Sequence, residues 1–269
     1  MGTWAKTLRR QKAADPVRFR GHRGGLIPMH RALTQFQLVP LDVVTSLLIF
    51  TFFSALWFML LPLVCRFWGH IFAIGLSRLP LQAQLESATY HLPGVRLLVP
   101  CLRMEPVFPT MRIWIMSATG TMLLFLTTLY ASKKWLPAMY LVRTMLLVHA
   151  SALVYFALFP ASFPHTPNSY LEGLVTASLG LISIIPLLLA LTYYIFDFGL
   201  VKKTFLTGMV MLYLVVFVPF QVLLQALVLE KSLLFMPVLY IIFGLPVDIL
   251  LVISFYSWGM TWSFRTAST

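Results

Sequence analysis

The chain has 269 residues, 59% of them hydrophobic and 10% charged, with a mean hydropathy of +0.87 and a net charge of +12. Soluble domains are about 45 to 50% apolar and about 25% charged, so a water-soluble fold of this length is excluded. The basic excess does not point to nucleic acid: eight basic residues (Lys6, Arg9, Arg10, Lys12, Arg18, Arg20, Arg23, Arg31) crowd the first 36 positions with only Asp15 against them, the pattern of a topogenic arm that also suits anionic lipid headgroups.

That arm, residues 1–41, leads into an apolar stretch long enough to be a full span. No small-residue cleavage site follows it, so the stretch is expected to persist as a signal anchor. Six apolar runs follow one another along the chain, at 42–64, 111–131, 136–159, 170–196, 204–228 and 233–257. Each can cross a hydrocarbon core about 30 Å thick at about 1.5 Å per residue. The expected fold class is therefore an all-α, polytopic integral membrane protein: a six-span bundle over 42–257 and a tail over 258–269.

The segment 65–110, between the first two runs, departs from this pattern. Residues 66–79 (RFWGHIFAIGLSRL) are apolar but would reach only about 21 Å as a helix, and Arg and His interrupt them. They read as an amphipathic helix on the outer interface, with Phe67, Ile71, Phe72 and Ile74 inward and Arg66, His70 and Arg78 toward headgroups. The rest of the segment, with Pro93, Pro100, Pro106 and Pro109, reads as irregular chain.

Orientation follows from the loops. Threading six spans puts the arm, Lys133 and Lys134, Lys202 and Lys203, and Arg265 on one side, thirteen basic residues against five in the opposite loops. The 161–169 loop has no Lys or Arg. By the positive-inside rule both termini are expected in the cytoplasm, with a bacterial inner membrane as the setting.

Ionisable groups within spans are costly and need a partner or a purpose. Arg143 in the third run and Asp248 in the sixth lie at nearly matching depths. Either they form an ion pair joining the two spans, or Arg143 snorkels to lipid phosphate while Asp248 faces a small water cavity. A second polar set lies toward the outer half: His149, Gln221, Gln225, Glu172 and His165. Gln221 and Gln225 share one helix face. The set is open to two readings, a substrate or proton site with His149 titrating, or interhelical hydrogen bonds with solvated loop residues at its rim. Cys65 and Cys101 both fall on the outer, oxidising side, which leaves a 65–101 disulfide and two free buried thiols as alternatives.

The fourth run carries a stripe of small residues, Gly173, Thr176, Ala177 and Gly180, that suits close helix approach. Pro186, Pro219, Pro237 and Pro246 fall inside runs four to six, and the two in the sixth mark it as the helix most prone to break. No phosphate-binding loop, HExxH, GxSxG, zinc-spaced cluster or haem-type His pair is present, and neither cofactor nor metal is expected. Sparse buried chemistry, packing devices and a docking arm point to a non-catalytic subunit or accessory of a larger envelope assembly, such as a secretion, export or polysaccharide system. Its expected partners are the bilayer, anionic headgroups at the arm and other membrane subunits. Two rivals remain: a small-molecule or lipid permease using the Pro-broken helices, and an intramembrane enzyme on lipid-linked substrates.

Overall fold

The structure is a computed structural model that describes residues 40–92, 95–130, 135–193 and 199–261. The basic arm, Lys133 and Lys134, Arg265 and most of the tail lie outside the described residues. The chain divides into two units, Met1–Val44 and Thr45–Thr269, and the fold below is that of the second.

Among the described residues six helical stretches are long and apolar enough to cross a membrane, and the protein is a multi-pass membrane protein in a lipid bilayer. In hydrocarbon no water competes for backbone N–H and C=O groups, so each apolar run closes its hydrogen bonds on itself as a helix. The helices are α1 (Pro40–Arg78), α2 (Met111–Tyr130), α3 (Leu136–Leu158), α4 (Pro167–Thr192) and α5 (Leu200–Lys231). The sixth crossing is in pieces that end in α6 (Leu245–Thr261).

The outer segment differs from the sequence expectation in two ways. First, there is no separate interfacial helix: residues 66–78 continue α1, which runs 39 residues, about 58 Å and nearly twice a hydrocarbon core. Its inward face is Cys65, Trp68 and Phe72, the last two with no exposure, whereas Phe67 and Ile74 are 40% and 62% exposed. Arg66, His70 and Arg78 do face outward. Second, the supposed irregular chain is an antiparallel hairpin, β1 (Ala83–Leu92) and β2 (Val95–Met104), with Ala83 opposite Met104 and Ser87 opposite Pro100.

The hairpin is held because β2 is buried on both faces along Val99–Leu102. It leans on α1 where Pro100 meets Gly69, a glycine at which an added Cβ would sit 3.7 Å from the proline Cβ. It is tied to α4 where the Met104 N–H donates to Asn168 Oδ1 at 2.8 Å and the Tyr90 hydroxyl to Glu172 Oε1 at 2.9 Å. Just before β1, the Gln82 N–H donates to Glu230 Oε1 at the end of α5 at 3.2 Å. Burial and the Glu172 carboxylate push the Tyr90 hydroxyl up to about 12, which keeps it a donor at neutral pH. The exposed side carries an ion pair, Arg103 to Glu86 at 2.7 Å.

Proline organises the core. Within α5 the Val215 carbonyl would ordinarily accept from residue 219, but Pro219 has no N–H. The Trp68 indole N–H of α1 donates to that carbonyl instead, at 2.8 Å. Phe53 against Gly208, Trp68 against Val215 and Gly75 against Leu223 rise together in number, so α1 and α5 run parallel. Trp57 joins α1 to α4 through Ser183 Oγ at 2.7 Å. The core thus lies between α1, α4, α5 and β2, filled by Trp68, Phe72, Leu102, Leu171, Ile182 and Leu214. At the start of α5, Lys203 is buried with its ammonium 5.9 Å from the Tyr193 ring.

Helix α4 starts at a capping box. Thr166 Oγ1 accepts from the Ser169 N–H, Ser169 Oγ accepts from the Thr166 N–H, and Pro167 follows the cap. Thr166→Ala is expected to cost about 1 kcal/mol, read as a lower melting temperature in detergent with the helix content unchanged.

Candidate functional site

The sixth crossing departs furthest from a regular helix. After Lys231 the chain makes a tight 3-10 turn (Leu233–Phe235), one α turn (Met236–Val238) and a π-helical turn (Leu239–Phe243), breaks at Gly244, and restarts as α6. The break follows from the residues GLP at 244–246. Pro246 offers no N–H, and the Val247 N–H donates to the Gly244 carbonyl at 3.1 Å rather than four residues back to Phe243. The Phe243 carbonyl is thereby freed in a setting where water cannot serve it.

Two amides from α5 take up the slack. Gln221 Nε2 donates to the Phe243 carbonyl at 2.7 Å and reaches the Gly244 carbonyl at 3.3 Å. Gln225 Nε2, one turn further along the same face, also donates to Phe243, while its Oε1 accepts from the Tyr170 hydroxyl of α4. Asp248, in the first turn of α6, has no exposed surface, and its Oδ2 accepts from Ser178 Oγ of α4 at 3.0 Å. Asp248 Oδ1 and Gln221 Oε1 are buried without a hydrogen-bond partner.

The broken segment is a wall between two cavities. One, about 880 Å³, lies against α4 and is lined by Tyr170, Gly173, Ala177, Pro237, Tyr240 and Gly244, with His165 and Phe163 at its edge. The other, about 990 Å³, is a groove between the α2–α3 pair and α5, lined by Met116, Gly120, His149, Gln221, Leu224, Gln225 and Phe243, with Lys231 at one end. Gln221 and Gln225 therefore brace the wall from the groove side. Within this chain the glycines of the α4 stripe are not at a close helix contact: a Cβ added at Gly173 or Gly180 meets nothing within 4 Å, and Gly173 and Ala177 line the first cavity.

The residues singled out in the sequence are partly brought together and partly separated. His149, Gln221 and Gln225 share the groove, where His149 Nε2 is 2.6 Å from Ser117 Oγ and its ring stacks on Phe235 with centroids 5.4 Å apart. Glu172 is absent from that groove and bonds the hairpin through Tyr90, and His165 borders the other cavity. Arg143 and Asp248 do not meet. The Arg143 guanidinium donates to Thr128, from Nη2 to the carbonyl at 2.9 Å and from Nε to Oγ1 at 3.2 Å, so it staples α3 to the last turns of α2, where the helix dipole favours a cation. Cys65 and Cys101 are both buried as free thiols, and burial pushes the Cys101 thiol up. Sequence reasoning missed Tyr170, Ser178 and Gly244. Only Gly244, two before Pro246, carried a local signal, since a hydroxyl on one helix says nothing about which helix faces it.

Compared with protein-family models, with curated proteins and with solved structures, the chain matches none.

Proposed function

We propose that the chain is a non-catalytic permease for an amphipathic, lipid-class molecule, with the broken sixth crossing as its movable wall. The observation that carries this reading is the placement of that wall: a helix interrupted in mid-crossing, held by two glutamines, with an apolar cavity on either side. Interrupted helices held by side chains are how membrane proteins make mobile backbone at depth without leaving carbonyls unserved.

The lining supports the solute class. Met116, Phe220 and Leu224 line the groove and are themselves 74%, 55% and 64% exposed, so the groove opens sideways to acyl chains. Lys231, exposed at the end of α5, supplies a cation at one end of an otherwise apolar channel, which suits an acyl chain with an anionic head. The groove does set a hydroxyl beside an imidazole, Ser117 Oγ and His149 Nε2 at 2.6 Å, but among the described residues no carboxylate bonds that ring, which stacks on Phe235, so the enzyme reading lacks the third group that would orient the base. In this proposal both termini lie in the cytoplasm of a bacterial inner membrane, and the basic arm meets anionic headgroups.

The test is lipid movement in vesicles of phosphatidylethanolamine and phosphatidylglycerol carrying a trace of head-labelled fluorescent phosphatidylglycerol. With the protein present, an impermeant quencher is expected to extinguish more than the outer half of the signal, and Leu224→Trp, which fills the groove, is expected to slow the excess at least tenfold. Quenching that stops at one half with wild-type protein overturns the proposal.

One observation favours a second reading, that of a subunit in a larger envelope assembly. Only 6% of the apolar window of α2 is buried within the chain, and Thr128 is its one buried residue, which leaves most of the helix surface for a partner helix. Co-purification of a stoichiometric membrane partner in mild detergent, lost when polar residues are placed on the outer face of α2, supports that reading.

A further inference from the structure

We propose that the Ser117–His149 pair is the polar recognition point of the groove, donating one hydrogen bond to an ester carbonyl of a lipid that lies in it. The inference rests on the groove admitting lipid, as the permease reading has it, and it starts from a count of hydrogens. Ser117 of α2 brings one O–H and a neutral His149 ring of α3 brings one N–H. Their contact, Ser117 Oγ to His149 Nε2 at 2.6 Å, uses one of the two. Which one depends on the tautomer, but the remainder does not. Either the serine donates and Nδ1–H is left over, or Nε2–H donates and the hydroxyl hydrogen is left over. A charged ring only adds a further hydrogen. Among the described residues neither side chain makes another hydrogen bond, and Nδ1, which has no partner, is not closed off by protein. The pair therefore offers a donor to whatever fills the groove that both residues line.

Neighbouring hydroxyls behave differently. Thr121, Thr127 and Thr128 of α2 turn back on carbonyls of their own helix at 2.7 to 2.8 Å, as Thr144 and Ser151 do on α3 at 2.9 and 2.7 Å. Ser117 reaches across to α3 instead. The ring it meets is held from a third side, lying flat on Phe235 with 5° between the planes, so the spare hydrogen keeps a fixed place. In hydrocarbon such a donor is costly until an acceptor arrives. There is room for one: Gly120, one turn along α2 from Ser117, lines the groove, and a Cβ added there meets nothing within 4 Å. Depth selects the acceptor. Ser117 is six residues from the start of α2 and His149 nine from the end of α3, about 9 and 14 Å inside those helix ends. Lys231 stands at the end of α5 and of the groove. With the anionic head of a phospholipid at Lys231, the ester carbonyls are the acceptors that lie inward, and the acyl chains beyond them carry none.

Native mass spectrometry of the delipidated full chain in mild detergent reads the bond as binding, apart from movement. The probes are diacyl phosphatidylglycerol and its dialkyl ether analogue, which share head and chains and differ in the carbonyls. The wild type is expected to hold the ester about fivefold more tightly than the ether, the factor a single hydrogen bond supplies. His149→Phe, which keeps an aromatic ring beside Phe235 and removes the donor, is expected to bring the two lipids to parity. Ser117→Ala, which removes one hydrogen and releases the ring, is expected to narrow the gap, and it carries the test should His149→Phe fail to fold. Equal affinity in the wild type overturns the proposal, as does a gap that persists in His149→Phe, or in Ser117→Ala where that variant alone folds. An ester preference in a wild type that moves no lipid overturns the permease reading alone, and lipid movement without the preference overturns this inference alone. A wild type that retains neither lipid overturns both.

Discussion

Trp68→Ala is expected to be the most damaging single change in the transmembrane core, costing about 3 to 5 kcal/mol. The indole has no exposed surface and sits between α1 and α5, so truncation leaves a cavity that surrounding helices cannot close. Part of the loss is polar and separable. Trp68→Phe keeps most of the volume but strands the Val215 carbonyl, which Pro219 denies its usual donor, and a buried unserved carbonyl costs about 1 to 3 kcal/mol. Pro219→Ala returns a donor to that carbonyl from within α5. The double variant is therefore expected to be more stable than the sum of the single losses by about 1 kcal/mol, measured as melting temperatures in one detergent. Strict additivity means the indole bond does not compensate for the proline.

Gly244→Ala is the second large effect. A Cβ at this position would lie 2.9 Å from the Tyr240 carbonyl oxygen and 3.4 Å from that of Leu239. Both obstacles are backbone, so neither can swing aside as a side chain would. Relief requires the π-helical turn to shift as a unit, which moves the Phe243 carbonyl away from Gln221 and Gln225. The expected outcome is a loss of about 1 to 3 kcal/mol, with lipid movement reduced more than stability alone explains. By contrast, Gly173→Ala, whose new methyl meets nothing within 4 Å on the same cavity, is expected to leave melting unchanged within about 0.5 kcal/mol. Equal tolerance at 244 and 173 would mean the break has no steric requirement for glycine.

What the sequence made legible is what lipid enforces. A run of apolar residues in hydrocarbon has one way to satisfy its backbone, so the runs at 111–131 and 136–159 reappear as Met111–Tyr130 and Leu136–Leu158 almost to the residue. The two prolines at 237 and 246 marked the sixth helix as the broken one, and it is. The hairpin was not read, although Pro93 and Gly94 stand between two ten-residue strands and are a turn signal. The four prolines of the segment suggested irregular chain, whereas Pro100 lies in a strand and is a buried contact with Gly69. Matching depth proved a poor guide to pairing. Counted along their runs, Arg143 and Asp248 fall at nearly matching depths, but partners are set by which faces meet, and a face can be read from periodicity only for amphipathic helices. Helices apolar all round, as these are, hide theirs. For the same reason Gln221 and Gln225 could be placed on one face, yet the carbonyls they serve could not be named.

Hydrogen–deuterium exchange of the vesicle-embedded protein tests the movable wall most directly. If the sixth crossing is two pieces joined by a yielding segment, amides of 239–247 exchange at least tenfold faster than those of 210–226 in α5, and Gln221→Leu with Gln225→Leu speeds them further while α5 stays protected. Protection of 239–247 equal to that of α5, unchanged when both glutamines are removed, would mean that the wall does not move and that the permease account is wrong.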